Sequence, residues 1–153
     1  NLRTVSRRHP KRSGMHGSVK SRYEMTVADT SFIIDLLRKD PGATTIFEQY
    51  EQAGRGLDTT GITALELYKG AYQSVNRNSL EKVKNILSLF SILPIDEQVY
   101  ELFGRLSADL RMRGTPLGAF DGVIAAIVLC TDGEIISRDR HFRSIPGITV
   151  INY

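Results

Sequence analysis

Short apolar segments alternate with longer segments of helical spacing along most of this chain. The first of them, Thr26 to Ala28, ends at Asp29, and apolar residues spaced as on one face of a helix follow directly. The alternation continues after this unit. Strands are predicted over 26–28, 57–60, 91–95, 134–137 and 148–151, and helices over about 30–39, 42–53, 63–75, 80–90, 97–113 and 119–131.

This order of elements predicts an α/β domain with a mostly parallel central sheet and helices on both faces. Right-handed connections bring the carboxyl ends of all strands to one edge of such a sheet. Ligands bind in the crevice beyond those ends, so candidate chemistry is expected there. Segment 119–131 is apolar on nearly all sides, which places that helix in the middle of the domain.

Length and composition indicate one globular domain, because the chain has 153 residues, of which 41% are hydrophobic and 24% charged. Its single cysteine, Cys130, excludes an intramolecular disulfide, and we expect it to be buried in its apolar surroundings. No apolar run approaches the roughly 18 residues that span a membrane. We therefore expect a cytoplasmic protein.

The basic charge is concentrated at the start of the chain. Residues 1–24 contain seven Lys and Arg residues against one Glu, a net charge of +6, so residues 25–153 carry −3 of the total of +3. We predict that 1–24 form a basic disordered arm or are added leader sequence, with a nucleic-acid-binding arm as the alternative, and that 25–153 form the domain. Any nucleic-acid site in the domain must then be a local patch.

Four acids stand at predicted strand ends or helix starts: Asp29, Glu66, Asp121 and Asp139. Each has a structural alternative, since Asp29 is placed as an N-cap and Glu66 completes a capping box with Thr63. Asp121 suits the positive end of a helix, and Asp139 suits the start of a turn. Together at one edge, however, they repel one another unless a cation neutralises them. Carboxylates suit Mg²⁺ or Mn²⁺, and such ions activate water for phosphodiester hydrolysis.

Four motifs in the chain resemble those of a known family. They are Asp29-Thr-Ser before an apolar helix, Thr63-Ala-Leu-Glu66-Leu-Tyr-Lys-Gly70, Asp121-Gly-Val-Ile-Ala-Ala126 and Ser137-Arg-Asp-Arg-His-Phe142. In this order, across 25–153, they are similar to the motifs of PIN-domain proteins, and most closely to the VapC toxins of toxin–antitoxin pairs. The resemblance implies a three-layer α/β/α PIN-like fold and a Mg²⁺- or Mn²⁺-dependent endoribonuclease.

The resemblance also implies roles for individual residues. It assigns the metal-binding and catalytic positions to Asp29, Glu66, Asp121 and Asp139. Ser31 and Ser137 stand where family members carry hydroxyls near the metal and its ligand, so we expect them to contact the substrate. Arg138 and Arg140, which flank Asp139, are candidates for RNA phosphate contacts, with a solvated charged surface as the alternative.

Partners follow from the same resemblance: an RNA substrate, a VapB-like antitoxin and a second copy of the chain in a homodimer. Four aromatic residues are candidates for either protein interface, with ordinary packing as the alternative: Phe47, Tyr50, Tyr68 and Tyr72. Two other functions stay open, a catalytically weak PIN-fold module that binds RNA or protein, and a DNA nuclease with the same site. A general-base role for His141 is disfavoured, because metal-activated water leaves it no step to perform.

Overall fold

The computed structural model describes residues 24–153, in which strands and helices alternate as predicted. The strands are β1 (Thr26–Ala28), β2 (Leu57–Thr60), β3 (Ser91–Leu93), β4 (Glu134–Ile136) and β5 (Thr149–Ile151). The helices are α1 (Thr30–Leu37), α2 (Pro41–Gln52), α3 (Gly61–Gln73), α4 (Ser79–Leu87), α5 (Glu97–Met112) and α6 (Ala119–Leu129), and a 3-10 helix covers Arg140–Ser144. The predicted fold class is confirmed.

The central sheet is parallel at every pairing, in the order β3-β2-β1-β4-β5. β1 lies at its centre, and the strand order reverses direction there, with β2 and β3 on one side and β4 and β5 on the other. The crevice beyond the carboxyl end of β1 is therefore the expected ligand position in a sheet of this kind.

Helices cover both faces of the sheet. On one face, Ala28 and Ile136 pack with Phe32 of α1 and with apolar residues of α2, α3 and α4. On the other face, Val27 and Ile135 pack against α6. Full burial of a Val, Ile or Phe side chain stabilises the fold by about 1.5–3 kcal/mol. The helix layers on both faces therefore help to hold the strand ends in place.

Helix α6 forms the most deeply buried part of the second layer. Residues 124–128 are all at most 1% exposed, as the sequence predicted for a helix that is apolar on nearly all sides. A close approach to α5 is possible because Gly122 has no side chain, and a Cβ there would lie 3.0 Å from the ring of Phe103. This packing fixes the amino end of α6, where Asp121 is located.

Three local predictions were wrong. Helix α3 begins at Gly61, and its N-cap is Thr60, whose hydroxyl accepts from the backbone N–H of Thr63 at 3.0 Å, so no capping box joins Thr63 to Glu66. The cause is that β2 runs into α3 without a loop. Helix α4 includes Ser79 as its first residue rather than using it as the cap. Cys130 ends α6 and is exposed, because the helix finishes at the surface.

Residues 1–23 of the predicted arm lie outside the residues that the structure describes. Glu24, which we assigned to the arm, forms an ion pair with Arg55 at 2.6 Å. Within residues 24–153, no helix is long and apolar enough to cross a membrane.

Candidate active site

Asp29 is the centre of the candidate site. It follows β1, occupies the N-cap position of α1 and is 6% exposed, but its side chain makes no capping hydrogen bond. Its Oδ2 instead accepts from Ser137 Oγ at 2.6 Å and from Ser31 Oγ at 3.3 Å. Burial raises the pKa of Asp29, the hydroxyl of Ser137 opposes that shift, and the charge of Glu66 adds to it.

Glu66 is held beside Asp29 by the residue that follows Asp29 in the chain. Its carboxylate accepts a hydrogen bond from the hydroxyl of Thr30, which directly follows Asp29. The Thr30 hydroxyl also lies 3.2 Å from that of Thr63, which in turn lies 3.3 Å from that of Thr60. A chain of hydroxyls at the β2–α3 junction therefore holds Glu66 next to Asp29.

Asp121 and Asp139 form a second acidic pair. Burial raises the pKa of Asp121, the charge of Asp139 raises it further, and His141 opposes both effects. Asp139 caps the 3-10 helix, since its Oδ1 accepts from the backbone N–H of His141 at 2.9 Å and lies 2.7 Å from Nδ1 of the same ring. The predicted turn at Asp139 is thus present alongside its position in the acidic cluster.

Ser137 connects the two pairs. Its hydroxyl donates to Asp29 and accepts from the backbone N–H of Asp139 at 2.9 Å. Within residues 24–153, no three His, Cys, Asp or Glu side chains stand close enough together to hold a metal ion. The structure therefore brings the four predicted acids together as two pairs rather than as one closed ligand set.

The donor set nevertheless fits a hard divalent cation. All four members are carboxylates, the ligand type that Mg²⁺ and Mn²⁺ prefer. The raised pKa values of Asp29 and Asp121 both include repulsion from a neighbouring acid. A bound cation would relieve that repulsion and favour the ionised forms.

The two predicted substrate-binding arginines differ in their surroundings. Arg138 is bound to Asp35, with Nε 2.7 Å from Oδ2 and Nη2 3.0 Å from Oδ1. Arg140 is exposed on the 3-10 helix and makes no ion pair with any residue of 24–153. Arg113, which follows the end of α5 and precedes Asp121 in the chain, pairs with Asp109 at 3.0 Å.

Three residues of the site region were missed by the sequence analysis: Thr30, Asp35 and Tyr153. A signal existed for Asp35, because it is an acid on the face of α1 that follows Ser31 by one turn, within a run of apolar residues. Thr30 was read as part of a motif without a role of its own. Nothing in the sequence indicated that Tyr153 lies near α1.

The four candidate interface aromatics separate into two groups. Phe47 packs on Phe90 with ring centroids 6.0 Å apart, and the hydroxyl of Tyr50 donates to Thr26 at 3.3 Å, so both are half-buried and pack against the core. Tyr68 and Tyr72 are exposed on α3.

Fold and site together define an α/β/α domain with a cluster of acids at the carboxyl edge of a parallel sheet. The PIN domain family matches residues 26–148, and the chain belongs to this family.

Similar proteins point to one branch of the family. The chain is 28% identical over 124 residues to the tRNA(fMet)-specific endonuclease VapC of Salmonella typhimurium strain LT2, a match that covers 80% of this chain and 92% of that protein. DNA-bound VapBC from Salmonella typhimurium contains a chain with a TM-score of 0.73 and 27% identity, covering 84% of this chain and 98% of that one. VapBC2 from Rickettsia felis contains a chain with a TM-score of 0.77 and 19% identity, covering 84% of this chain and 98% of that one. At this identity the match supports the fold alone.

Proposed function

We propose that this protein is a Mg²⁺- or Mn²⁺-dependent endoribonuclease and the toxin of a toxin–antitoxin pair. The observation that carries the proposal is the arrangement of Asp29, Glu66, Asp121 and Asp139 as two acidic pairs joined through Ser137. The similarity to a protein named as a tRNA-specific endonuclease supports RNA as the substrate class. An RNA substrate is consistent with action in the cytoplasm.

Each residue has a role in the proposed hydrolysis. Asp29, Glu66 and Asp121 would hold the cation, with Asp139 as the fourth acid, once the ion offsets the repulsion between the two pairs and draws them within ligand distance. The cation would supply activated water and stabilise negative charge on the phosphate. Ser137 and Ser31 keep Asp29 oriented and favour its ionised form through their hydrogen bonds. No side-chain nucleophile is required.

Substrate contacts are proposed for the basic residues beside the acids. Arg140 is exposed and has no ionic partner within residues 24–153, so its guanidinium is available to a phosphate. Ser31 lies between Asp29 and the backbone of Arg138, whereas the buried Ser137 affects the substrate through Asp29 and Asp139, which it contacts. Cationic groups here would offset the repulsion between RNA and the acidic pairs.

A VapB-like antitoxin is the proposed protein partner. Support comes from two solved relatives at 27% and 26% identity, VapBC from Salmonella typhimurium and VapBC-1 from nontypeable Haemophilus influenzae. Exposed Tyr68 and Tyr72 on α3 offer apolar area for this partner or for a second copy of the chain in a homodimer.

The test is cleavage of a panel of structured and unstructured RNAs by the full chain in Mg²⁺, in Mn²⁺ and in EDTA. We expect metal-dependent cleavage that is abolished by Asp29→Asn. The matched control is Glu101→Gln, which makes the same charge change at an exposed pair on α5 and should cleave normally. RNA binding without cleavage would favour the binding module, and cleavage of a DNA panel alone would favour the DNA nuclease.

A further inference from the structure

Asp35 is a buried carboxylate outside the acidic pairs. It lies on α1, one turn after Ser31, and is 5% exposed. Its Oδ1 accepts from Nη2 of Arg138 at 3.0 Å, and its Oδ2 accepts from Nε of the same residue at 2.7 Å and from the hydroxyl of Tyr153 at 2.7 Å. The buried charge is therefore fully compensated, as burial of an ion requires.

Tyr153 is itself held firmly against α1 and α2. Its ring meets that of Phe32 edge to face, with centroids 5.2 Å apart. Its main chain approaches Gly42 so closely that a Cβ added at Gly42 would lie 3.0 Å from the carbonyl carbon of Tyr153. The hydroxyl that contacts Asp35 is thus in a fixed position.

Arg138 links Asp35 and Tyr153 to the candidate active site. It stands between Ser137 and Asp139, and its backbone N–H donates to Ser31 Oγ at 3.1 Å. Two of its five N–H donors bind Asp35, which leaves three, and the side chain is 58% exposed. A guanidinium with free donors is therefore oriented by Asp35, on a residue whose backbone borders the acidic pairs.

We propose that Asp35 and Tyr153 are positioning residues that hold the guanidinium of Arg138 ready for a phosphate group of the RNA. A free arginine loses rotamer freedom when it binds, and a pre-oriented one avoids most of that loss. The ion pair with Asp35 and the role in phosphate binding are thus compatible. This inference rests on the proposed function, since it requires an RNA substrate.

Positioning and simple electrostatics predict opposite results for Asp35→Asn. The substitution removes one negative charge near the RNA, which by charge alone tightens binding. If Asp35 positions Arg138, binding weakens instead, by about 3- to 10-fold, because the arginine must then be ordered on binding. Asn has the same shape and keeps one acceptor, so the fold is expected to persist.

The experiment measures affinity for a fluorescein-labelled transfer RNA pool by anisotropy in EDTA over a range of salt concentrations, and KM in Mg²⁺ for any RNA that is cleaved. Tyr153→Phe, which keeps the ring packing, should weaken binding in the same direction by a smaller factor. Arg138→Ala should lower the salt slope by about 1, whereas Asp35→Asn should leave the slope unchanged because the cation remains. Circular dichroism and melting check the fold of each variant.

The control Glu101→Gln makes the same charge change in a carboxylate that pairs with Arg105 and should bind RNA as the parent does. Binding by Asp35→Asn that equals or exceeds that of the parent overturns the inference and leaves the proposed function intact. A parent protein that neither binds nor cleaves RNA overturns both.

Discussion

Removal of the Ser137 hydroxyl is expected to disconnect the two acidic pairs. The side chain is fully buried, donates to Asp29 at 2.6 Å and accepts from the backbone N–H of Asp139 at 2.9 Å. A hydrogen bond to a charged acceptor contributes about 1.5–3 kcal/mol, which corresponds to a factor of roughly 10–150. Residues that orient a metal ligand typically change metal affinity by about 10- to 100-fold, so we expect Ser137→Ala to weaken Mn²⁺ binding within that range.

The assay is calorimetric titration of the full chain with Mn²⁺, repeated as a function of pH. Because the Ser137 hydroxyl lowers the pKa of Asp29, its loss raises that pKa further, and the acid limb of Mn²⁺ binding should move to higher pH. Ser137→Thr keeps a hydroxyl and serves as the control. Mn²⁺ affinity in Ser137→Ala equal to that of the parent would refute the role of this hydroxyl.

Three further predictions concern stability. The pKa of Asp121 is raised above 3.8, so ionisation of this group costs stability as pH rises. Asp121→Asn should therefore raise the melting temperature of the metal-free protein at pH 7, and the gain should disappear below pH 3.8, where Asp121 is protonated in both states. In urea unfolding, Ile124→Ala should cost about 2–5 kcal/mol, against about 0.5 kcal/mol or less for the exposed Tyr72→Ala. Gly133→Ala should cost about 2–5 kcal/mol by the same measurement, because φ is +78° and the new Cβ would lie 2.4 Å from the carbonyl oxygen of Gly147.

The positions of the acids were predictable because they depend on local pattern and one topological rule. Asp29 follows an apolar strand, and Asp121 begins an apolar helix, both of which the sequence displays. Parallel strands then place their carboxyl ends at one edge. The division into two pairs was not predictable, because it depends on hydrogen bonds between residues far apart, such as Ser137 and Asp29 at a separation of 108 residues.

The start of α3 shows how a local signal fails. Both Thr60 and Thr63 offer a hydroxyl for capping, and the Thr-x-x-Glu pattern favours Thr63. Pairing of β2 extends to Thr60, which has an extended backbone with φ −113° and ψ 155°, so this residue takes the cap position. Strand pairing therefore decided which of the two threonines caps the helix, since their local sequence signals are similar.

Arg138 shows the same limit for a side chain. The sequence predicted a contact with RNA phosphate, because the residue lies next to Asp139. Its contact with Asp35, 103 residues away, comes from the packing of the segment after β4 against α1. Long-range pairing of this kind has no signature in one sequence.

The central claim is that the two acidic pairs act as one metal-dependent site for RNA hydrolysis. The most direct measurement is RNA cleavage by the full chain against Mn²⁺ concentration, together with bound Mn²⁺ measured by electron paramagnetic resonance, for the parent, Asp29→Asn and Asp121→Asn. We predict that a change in either pair removes Mn²⁺ binding and cleavage together. Unaltered Mn²⁺ binding and cleavage in either variant, or cleavage by the parent that survives EDTA, would contradict the account.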